Sequence, residues 1–484
     1  MNKKIFLVIN NDYFAEPMGV MQLSAVLKKH DYEVGFGINM REDVFGAIKE
    51  FKPDVVGFSS MTSDIKDLLP LIDRVKNKLG IFTLLGGPHP TFFKEVINHP
   101  TLDAICVGEG EIAIMDLLER LAQHGSIDNI KNIVTKTSGK LELNPLITDL
   151  DNLPFIDRNI VSNRKEFRIL KVLSFYTSRG CLYNCTYCFN SKYNNVYRGN
   201  QTFRRRSVDN VIEEIKIVRG NYPIQFIRFS DDTFLYKVDD WFLEFVEKYR
   251  KEVHIPFYAL LRADNVSEEM AKLLKRAGCH SLGMSIESGN EEIRRSMLRR
   301  NISNEKLLKN FSIIKDAGIN ILSACIVALP NSTLEDEKKT IEIAIRSKCD
   351  NPGFCIFIPF PGTPLGEKVK RENMLSNGVN SLFSFSQYSA LNCFSKEEKK
   401  IQYNLMLLGT FCVKLPIFRN IILNHLIFFR PNKLFELIHF LSQGYCLSSK
   451  IFPVKYSLKE YIEVLKEYVR EWLYSVKHNL KTPE

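Results

Sequence analysis

The amino-acid sequence predicts an α/β protein in three parts: an open, mostly parallel sheet with helices on both faces, a partial barrel of six β/α units, and a mainly α-helical C-terminal segment. Three observations predict it. Short apolar stretches alternate with helical ones over residues 1–140. After a connector at 141–170 the alternation resumes over 171–384, opened by a run of three cysteines. From 385 to 484 the pattern turns helical and unusually apolar. Alternation of this kind builds parallel sheets, because a parallel neighbour needs a crossover long enough to hold a helix.

In the first part the strands are expected at Lys4–Ile9, Val34–Gly37, Val55–Ser59, Phe82–Leu85 and Ala104–Val107, with helices such as Gly19–Lys29 and Ser63–Leu79 between them. Ligands in open α/β sheets sit outside the carboxyl ends of the strands. Those ends are Asn10–Gly19, Ser59-Ser60-Met61-Thr62, Gly86-Gly87-Pro-His89-Pro-Thr91 and Gly108-Glu109-Gly110-Glu111. All are small, polar or Gly-rich, as loops approaching a phosphate or a flat cofactor must be. Leu150–Asp157 is Asp- and Pro-rich and reads as a linker.

In the second part the strands are expected at Val172–Thr177, Gln225–Ser230, Pro256–Leu261, Ser281–Ser285, Asn320–Val327 and Phe354–Ile358. Six units point to an open barrel rather than the closed eight-stranded form. Ser207 reads as the N-cap of the helix after Arg204–Arg206. The loop after the first strand carries Cys181, Cys185 and Cys188 in a C-x₃-C-x₂-C run. Thiolates hold iron–sulfur clusters, and three of them leave one iron of a [4Fe–4S] cube open to a small molecule. The competing reading is zinc, but a structural zinc site wants four ligands, usually as two close pairs. No second pair follows, and His280 is far downstream.

Composition narrows the function classes. Hydrophobic residues make up 45% and charged residues 25%, ordinary values for a globular protein. Eleven cysteines and an N-terminus that reads as a strand point to a reducing cytoplasm. The net charge of +10 reads either as an affinity for anions such as nucleotides, phosphates or anionic lipid, or equally as a Lys- and Asn-rich composition with no functional content. Arg204-Arg-Arg206 has no interleaved aromatics, so no nucleic-acid partner is expected.

The cysteine spacing resembles the signature of radical S-adenosylmethionine (SAM) enzymes, and the strand ends match that family in order. The resemblance implies that the open iron chelates SAM and that cleavage yields a 5′-deoxyadenosyl radical. It implies that Tyr187 lies against the adenine, and that Asp231 or Asp232, in Phe229-Ser-Asp-Asp-Thr-Phe234, meets the SAM amino group, the other being structural. Arg262 would face the SAM carboxylate, which suits its planar fork. In Gly283-Met-Ser-Ile-Glu-Ser-Gly289, Ser285 would reach the methionyl part and Glu287 the ribose hydroxyls. A buried Glu without a basic neighbour needs such a partner. Pro330, in Ala328-Leu-Pro330, would pack on adenine. The first part resembles the Rossmann-like cobalamin-binding domain that precedes many radical SAM barrels. It shares Pro17-Met-Gly19, Pro53–Gly57, Gly86-Gly87-Pro-His89 and Gly108-Glu-Gly-Glu111. The resemblance implies cobalamin contacts from these loops, at Pro17, Gly19, Ser60, Met61, Thr62, Gly86, Gly87, His89, Gly108, Glu109 and Gly110. The Asp-x-His-x-x-Gly element that supplies a lower cobalt ligand in many cobalamin domains is absent. The family often has proline after the first cysteine, where this chain has Leu182.

The expected activity is therefore that of an oxygen-sensitive, cobalamin-dependent radical SAM enzyme that moves a methyl group to a substrate carbon, with electrons from a reductase or flavodoxin. Oxidative cyclisation or another carbon-skeleton reaction, a domain that has lost cobalamin, and a non-catalytic iron–sulfur or zinc protein are the alternatives. In the C-terminal part Leu405–Val413 and Ile417–Phe429 are apolar but shorter than a membrane span. Tyr456–His478 reads as an amphipathic helix. The segment is expected as a helical cap and lid on the barrel mouth, the alternative being a surface for a membrane or a lipid-like substrate.

Overall fold

The computed structural model describes residues 3–12, 15–375 and 388–479, with side chains left out at 165, 166 and from 471 onward. The expected boundary at 384/385 lies outside the described residues. The chain divides into two compact units, Met1–Arg168 with Lys192–Arg204, and Ile169–Ser191 with Arg205–Glu484.

The first unit is a six-stranded sheet made of β1 (Lys4–Ile9), β2 (Glu33–Ile38), β3 (Val55–Ser59), β4 (Phe82–Gly86), β5 (Ala104–Cys106) and β6 (Ile133–Val134). Its order is β2-β1-β3-β4-β5-β6, and only β6 runs antiparallel to its neighbour. The two-residue β6 has no periodic signal to read. Strands buried on both faces become near-continuous apolar runs, and Ile5, Leu7 and Val8 are all buried. Helix Ile65–Leu79 buries Leu68, Leu71, Ile72 and Val75, one stripe at helical spacing, in the core that holds Val56, Phe58, Leu85 and Ile105. The order reverses between β1 and β3, so the crevice for a ligand opens at the loops that follow them.

The segment expected as a linker packs against the first unit. Gln22 donates to the Pro154 carbonyl at 2.9 Å, Ser24 donates to Asp157 at 2.6 Å, and Arg158 forms a buried ion pair with Glu16. These polar groups fix the strand of chain along helix Met18–Lys29.

The second unit holds β7 (Val172–Phe175), β8 (Phe226–Phe229), β9 (Phe257–Leu260), β10 (Cys279–Gly283), β11 (Asn320–Val327) and β12 (Asn351–Ile356). They pair consecutively and in parallel, and β7 and β12 remain the two edges of an open barrel. Outward residues such as Ile227 and Phe229 join the large core under the helices.

The C-terminal helices differ from the expectation of a lid. Helix Lys396–Lys414 buries Leu405–Leu408 and lies along the edge strand β12, where Thr410 donates to the Pro352 carbonyl at 2.6 Å. A Cβ on Gly409 would stand 2.5 Å from the Phe354 ring, so the helix can approach this closely only through glycine. Further on, Leu447–Ile451 and Phe452 pack on Phe226 and Tyr258, and Ser281 donates to the Ile451 carbonyl at 2.7 Å. Phe226 opens its strand, and Ser281 pairs with Asn320, the first residue of β11. The segment therefore covers a sheet edge and plugs the amino end, away from the cysteine loop. An exposed edge strand needs such a cover.

Candidate active site

Gly180, with φ of +82°, turns the chain out of the barrel into the cysteine loop. Cys181 and Cys185 are buried and Cys188 is half-buried. The loop is pinned by other strand ends. The Leu182 N–H donates to the Tyr236 hydroxyl at 3.0 Å, the Leu365 N–H donates to the Thr186 carbonyl at 2.9 Å, and the Tyr183 hydroxyl donates to Asn265 at 2.6 Å. The Tyr183 ring stacks on Tyr236 and carries the Arg262 guanidinium 3.7 Å above its centre.

Each sulfur has a polar neighbour. Thr233 Oγ1 is 3.8 Å from Cys181, Arg262 Nη1 donates to Cys185 at 3.0 Å, and Asn190 Nδ2 lies 3.8 Å from Cys188. Burial pushes the Cys188 thiol up to about 12, and a metal bound at the sulfur would displace its proton. Among the described residues no three His, Cys, Asp or Glu side chains converge on a position for a single metal ion. Thiolates that bind three different irons of a cube have no need to converge. Three cysteines in a pinned loop, each beside a hydrogen-bonding group, fit a [4Fe–4S] cluster, whose potential is set by such contacts.

The strand ends bring most of the expected SAM residues around this loop. Asp231 is fully enclosed and accepts from the Thr177 N–H and hydroxyl, both at 2.9 Å, and from the Ser178 hydroxyl at 2.5 Å. Burial raises its pKa to about 6. It ties the end of β8 to the chain after β7, a structural task. Asp232 faces the loop instead. Burial raises its pKa, and a hydrogen bond from Asn190 opposes the rise. Arg262 is held in plane by two bonds to Asp264, at 2.9 and 2.7 Å, which leave Nη1 for Cys185.

Glu287 departs from the expectation of a carboxylate without a basic neighbour. Its Oε1 accepts from the Tyr187 hydroxyl at 2.7 Å and from Arg300 Nη1 at 2.6 Å, and Glu287 and Arg300 are both buried. Burial alone would lower the Arg300 pKa, but Tyr187 and Glu287 outweigh it and raise the value. Glu287 itself has φ of +63°, in the left-handed region, held by its N–H on the Ala324 carbonyl and its carbonyl on the Ile326 N–H. Ser285 is half-buried just beyond β10, and Pro330 is buried in the turn after β11. That turn depends on Glu337, which accepts from the Ala328 N–H at 2.8 Å and the Ser332 hydroxyl at 2.9 Å while Ala328 holds φ of +62°. Burial pushes Glu337 up to about 7.

In the first unit the expected loops line the carboxyl edge of the sheet. Pro17 precedes helix Met18–Lys29, and Gly19 is exposed, with open space where a Cβ would stand. Ser60 caps strand end β4 by donating its N–H to the Gly86 carbonyl at 3.0 Å, and accepts from the His89 N–H at 2.9 Å. Gly87 has φ of +93°, and a Cβ there would meet Ser60 backbone at 3.0 Å. Met61 is exposed, and Thr62 lies 3.4 Å from His89 Nδ1. The His89 ring stacks on Phe93, and burial lowers its pKa to about 4, so it is neutral at pH 7.

Glu109 is not a free carboxylate. Arg204 donates to it twice, at 2.6 and 3.0 Å, and Tyr193 donates at 3.2 Å. Tyr197 closes over Gly108, where a Cβ would fall 2.0 Å from its hydroxyl, and accepts there from the Glu109 and Asn132 amides at 3.2 Å each. Gly110 precedes helix Glu111–Ala122. The segment Lys192–Arg204, which belongs to the first unit although it follows the cysteines in sequence, thus clasps the loop Gly108–Gly110. Sequence reasoning missed Arg204, Tyr193, Tyr197, Arg300 and Glu337. The arginine run was the one visible signal. Each of its members has an internal acid, Glu109 for Arg204, Asp239 for Arg205 and Glu214 for Arg206, which accounts for the run without an external anion.

Residues 5–118 match the B12 binding domain, and residues 175–344 match the radical SAM superfamily. The chain is 29% identical over 375 residues to an uncharacterized methyltransferase of Pyrococcus horikoshii, covering 74% of this chain and 79% of the other. It is 25% identical over 435 residues to the cytidylyl-2-hydroxyethylphosphonate methyltransferase of Streptomyces wedmorensis, covering 74% and 78%. Its fold resembles that of the radical S-adenosylmethionine methyltransferase TsrM from Kitasatospora setae, solved with cobalamin and a [4Fe–4S] cluster bound. The TM-score is 0.67 at 13% identity over 99% of this chain and 100% of the other.

Proposed function

We propose that this chain, which belongs to the radical SAM superfamily and carries an N-terminal B12 binding domain, is a C-methyltransferase that acts on a small-molecule substrate. When bound, the cluster supplies the electron that cleaves SAM to a 5′-deoxyadenosyl radical, and cobalamin supplies the methyl group. The protein's part is placement. Cys181, Cys185 and Cys188 hold the cluster. Arg262, fixed by Asp264 and Tyr183, keeps a positive charge beside Cys185 and toward the SAM carboxylate. Asp232 accepts from the SAM amino group. Tyr187 and Glu287 orient the adenosyl end, with Arg300 setting the Glu287 carboxylate, and Ser285 and the Pro330 turn complete the SAM contacts. The loops at Pro17–Gly19, Ser60–Thr62, Gly86–His89 and Gly108–Gly110 receive cobalamin, mainly through backbone and small side chains, since Glu109 is engaged by Arg204. We place the cobalamin-binding part at 1–140, the connector at 141–170, the barrel at 171–384 and the helical part at 385–484.

A flavodoxin or reductase is the proposed electron donor. A lipid-like substrate and a peripheral membrane contact suit the apolar C-terminal helices. The observation that carries the reading is the pinned cysteine loop with Arg262 Nη1 at 3.0 Å from Cys185 and the Tyr187–Glu287–Arg300 group behind it. Cys185→Ala tests it. Anaerobic protein should lose 5′-deoxyadenosine formation while keeping its fold by circular dichroism. Undiminished SAM cleavage in that variant would sink the assignment.

A further inference from the structure

The exposed apolar side chains of this protein are gathered near one end of the sequence. Among the described residues 23 large apolar side chains are exposed, and 16 of them lie at or after Leu415. No helix among the described residues is long and apolar enough to cross a membrane, so a spanning segment does not account for them. Ile417, Phe418, Ile421, Phe428 and Phe429 come from two short turns and the helix Arg419–Asn424 between them. Ile417 is 84% exposed and Phe429 58%, values at which each side chain stands in water. The opposite side of the same segment is anchored. Ile422, Leu423 and Ile427 are buried in the large core, and Asn404 Nδ2 donates to the carbonyls of Ile427 and Phe429 at 3.0 and 2.8 Å. The apolar face is therefore held in place by the fold.

Its charge is one-sided. Between Lys400 and Lys459 the sequence has a single acid, Glu436, which is buried against the Tyr403 hydroxyl. The same stretch carries Lys414, Arg419, Arg430, Lys433, Lys450 and Lys455. Arg419 pairs with Glu342, and Lys414 reaches the Cys349 carbonyl. Arg430 and Lys433 are exposed beside Phe428 and Phe429. An apolar face flanked by the exposed Arg430 and Lys433, with Glu342 meeting only Arg419, disfavours a second copy of this chain, which would bring like charges together. It matches an anionic bilayer surface, where apolar side chains enter the boundary of headgroups and acyl chains and Lys and Arg meet the phosphates.

We infer that the surface at Ile417, Ile421, Phe428 and Phe429, with Arg430 and Lys433, docks this protein peripherally on an anionic membrane. The inference rests on the peripheral membrane contact of the proposed function and gives it residues; it does not depend on the radical chemistry, and the test separates the two. Full-length protein is floated anaerobically with phosphatidylcholine vesicles and with vesicles containing phosphatidylglycerol, at low and high salt. Co-flotation with the anionic vesicles, weakened by salt and reduced about tenfold or more by Phe428→Ser/Phe429→Ser and by Arg430→Glu/Lys433→Glu, supports it. SAM cleavage by both variants should stay at the parent level, which shows that they fold. Absence of flotation, equal flotation by the variants, or a dimer abolished by the Phe428/Phe429 change overturns the proposal.

Discussion

The Glu287 carboxylate and the Arg300 guanidinium stand 2.6 Å apart in a buried pair, with the Tyr187 hydroxyl 2.7 Å from the same oxygen. Tyr187 comes directly before Cys188, so this pair links the cysteine loop to the end of β10. Burying two charges costs desolvation, and only their mutual attraction and extra hydrogen bonds offset it. Both contacts fall on Oε1, so Tyr187 and Arg300 together fix how the Glu287 carboxylate is turned.

Arg300→Met should therefore lose about 3 kcal/mol or more of stability, because it strands a buried carboxylate. It should also weaken SAM binding. Adding Glu287→Gln should restore part of the stability and none of the SAM affinity. Chemical denaturation and equilibrium dialysis with SAM check the two effects separately. Unchanged stability in the single variant would contradict the pairing.

Gly108→Ala should damage the first unit selectively. Its φ of +83° strains any residue with a side chain, and the new Cβ would meet the Tyr197 hydroxyl at 2.0 Å. Retained cobalamin after desalting should fall about tenfold or more, on the order of 1.4 kcal/mol, while iron content stays at the parent level. Equal loss of iron and cobalamin would mean that the two units fail together.

His89 carries a pH dependence of definite sign. Its folded pKa is lowered by burial to about 4, below the unfolded value of 6.5. As pH falls below 6.5 the unfolded state binds a proton that the folded state refuses, so stability drops until about pH 4. His89→Gln should remove this slope. Between pH 7 and pH 4.5 the parent should lose roughly 2 kcal/mol more than the variant, read as the difference in denaturation midpoints. Parallel pH profiles would place the titration elsewhere.

The strands were legible where the apolar run is continuous and bounded by turn residues. Lys4–Ile9, Val55–Ser59 and Asn320–Val327 fall at the expected limits, and Ser207 caps its helix by accepting from the Asn210 N–H. The cysteine loop was legible because its ligands are neighbours in sequence. The partner of Glu287 was not, because Arg300 lies thirteen residues on, after a π-helical turn whose geometry no local pattern announces. The clasp of Tyr193, Tyr197 and Arg204 on Gly108–Gly110 joins residues more than 80 positions apart. The C-terminal helices were recognisable as helices, but an amphipathic pattern says which face is buried and not which end of a barrel it meets.

The central claim is that one chain holds a cluster and a cobalamin. Its most direct test is to produce the protein anaerobically with hydroxocobalamin, desalt it, and quantify iron, sulfide and cobalamin per chain. About four irons with matching sulfide, together with one cobalamin, is the predicted result. Iron at that level without retained cobalamin would contradict methyl transfer through the first unit.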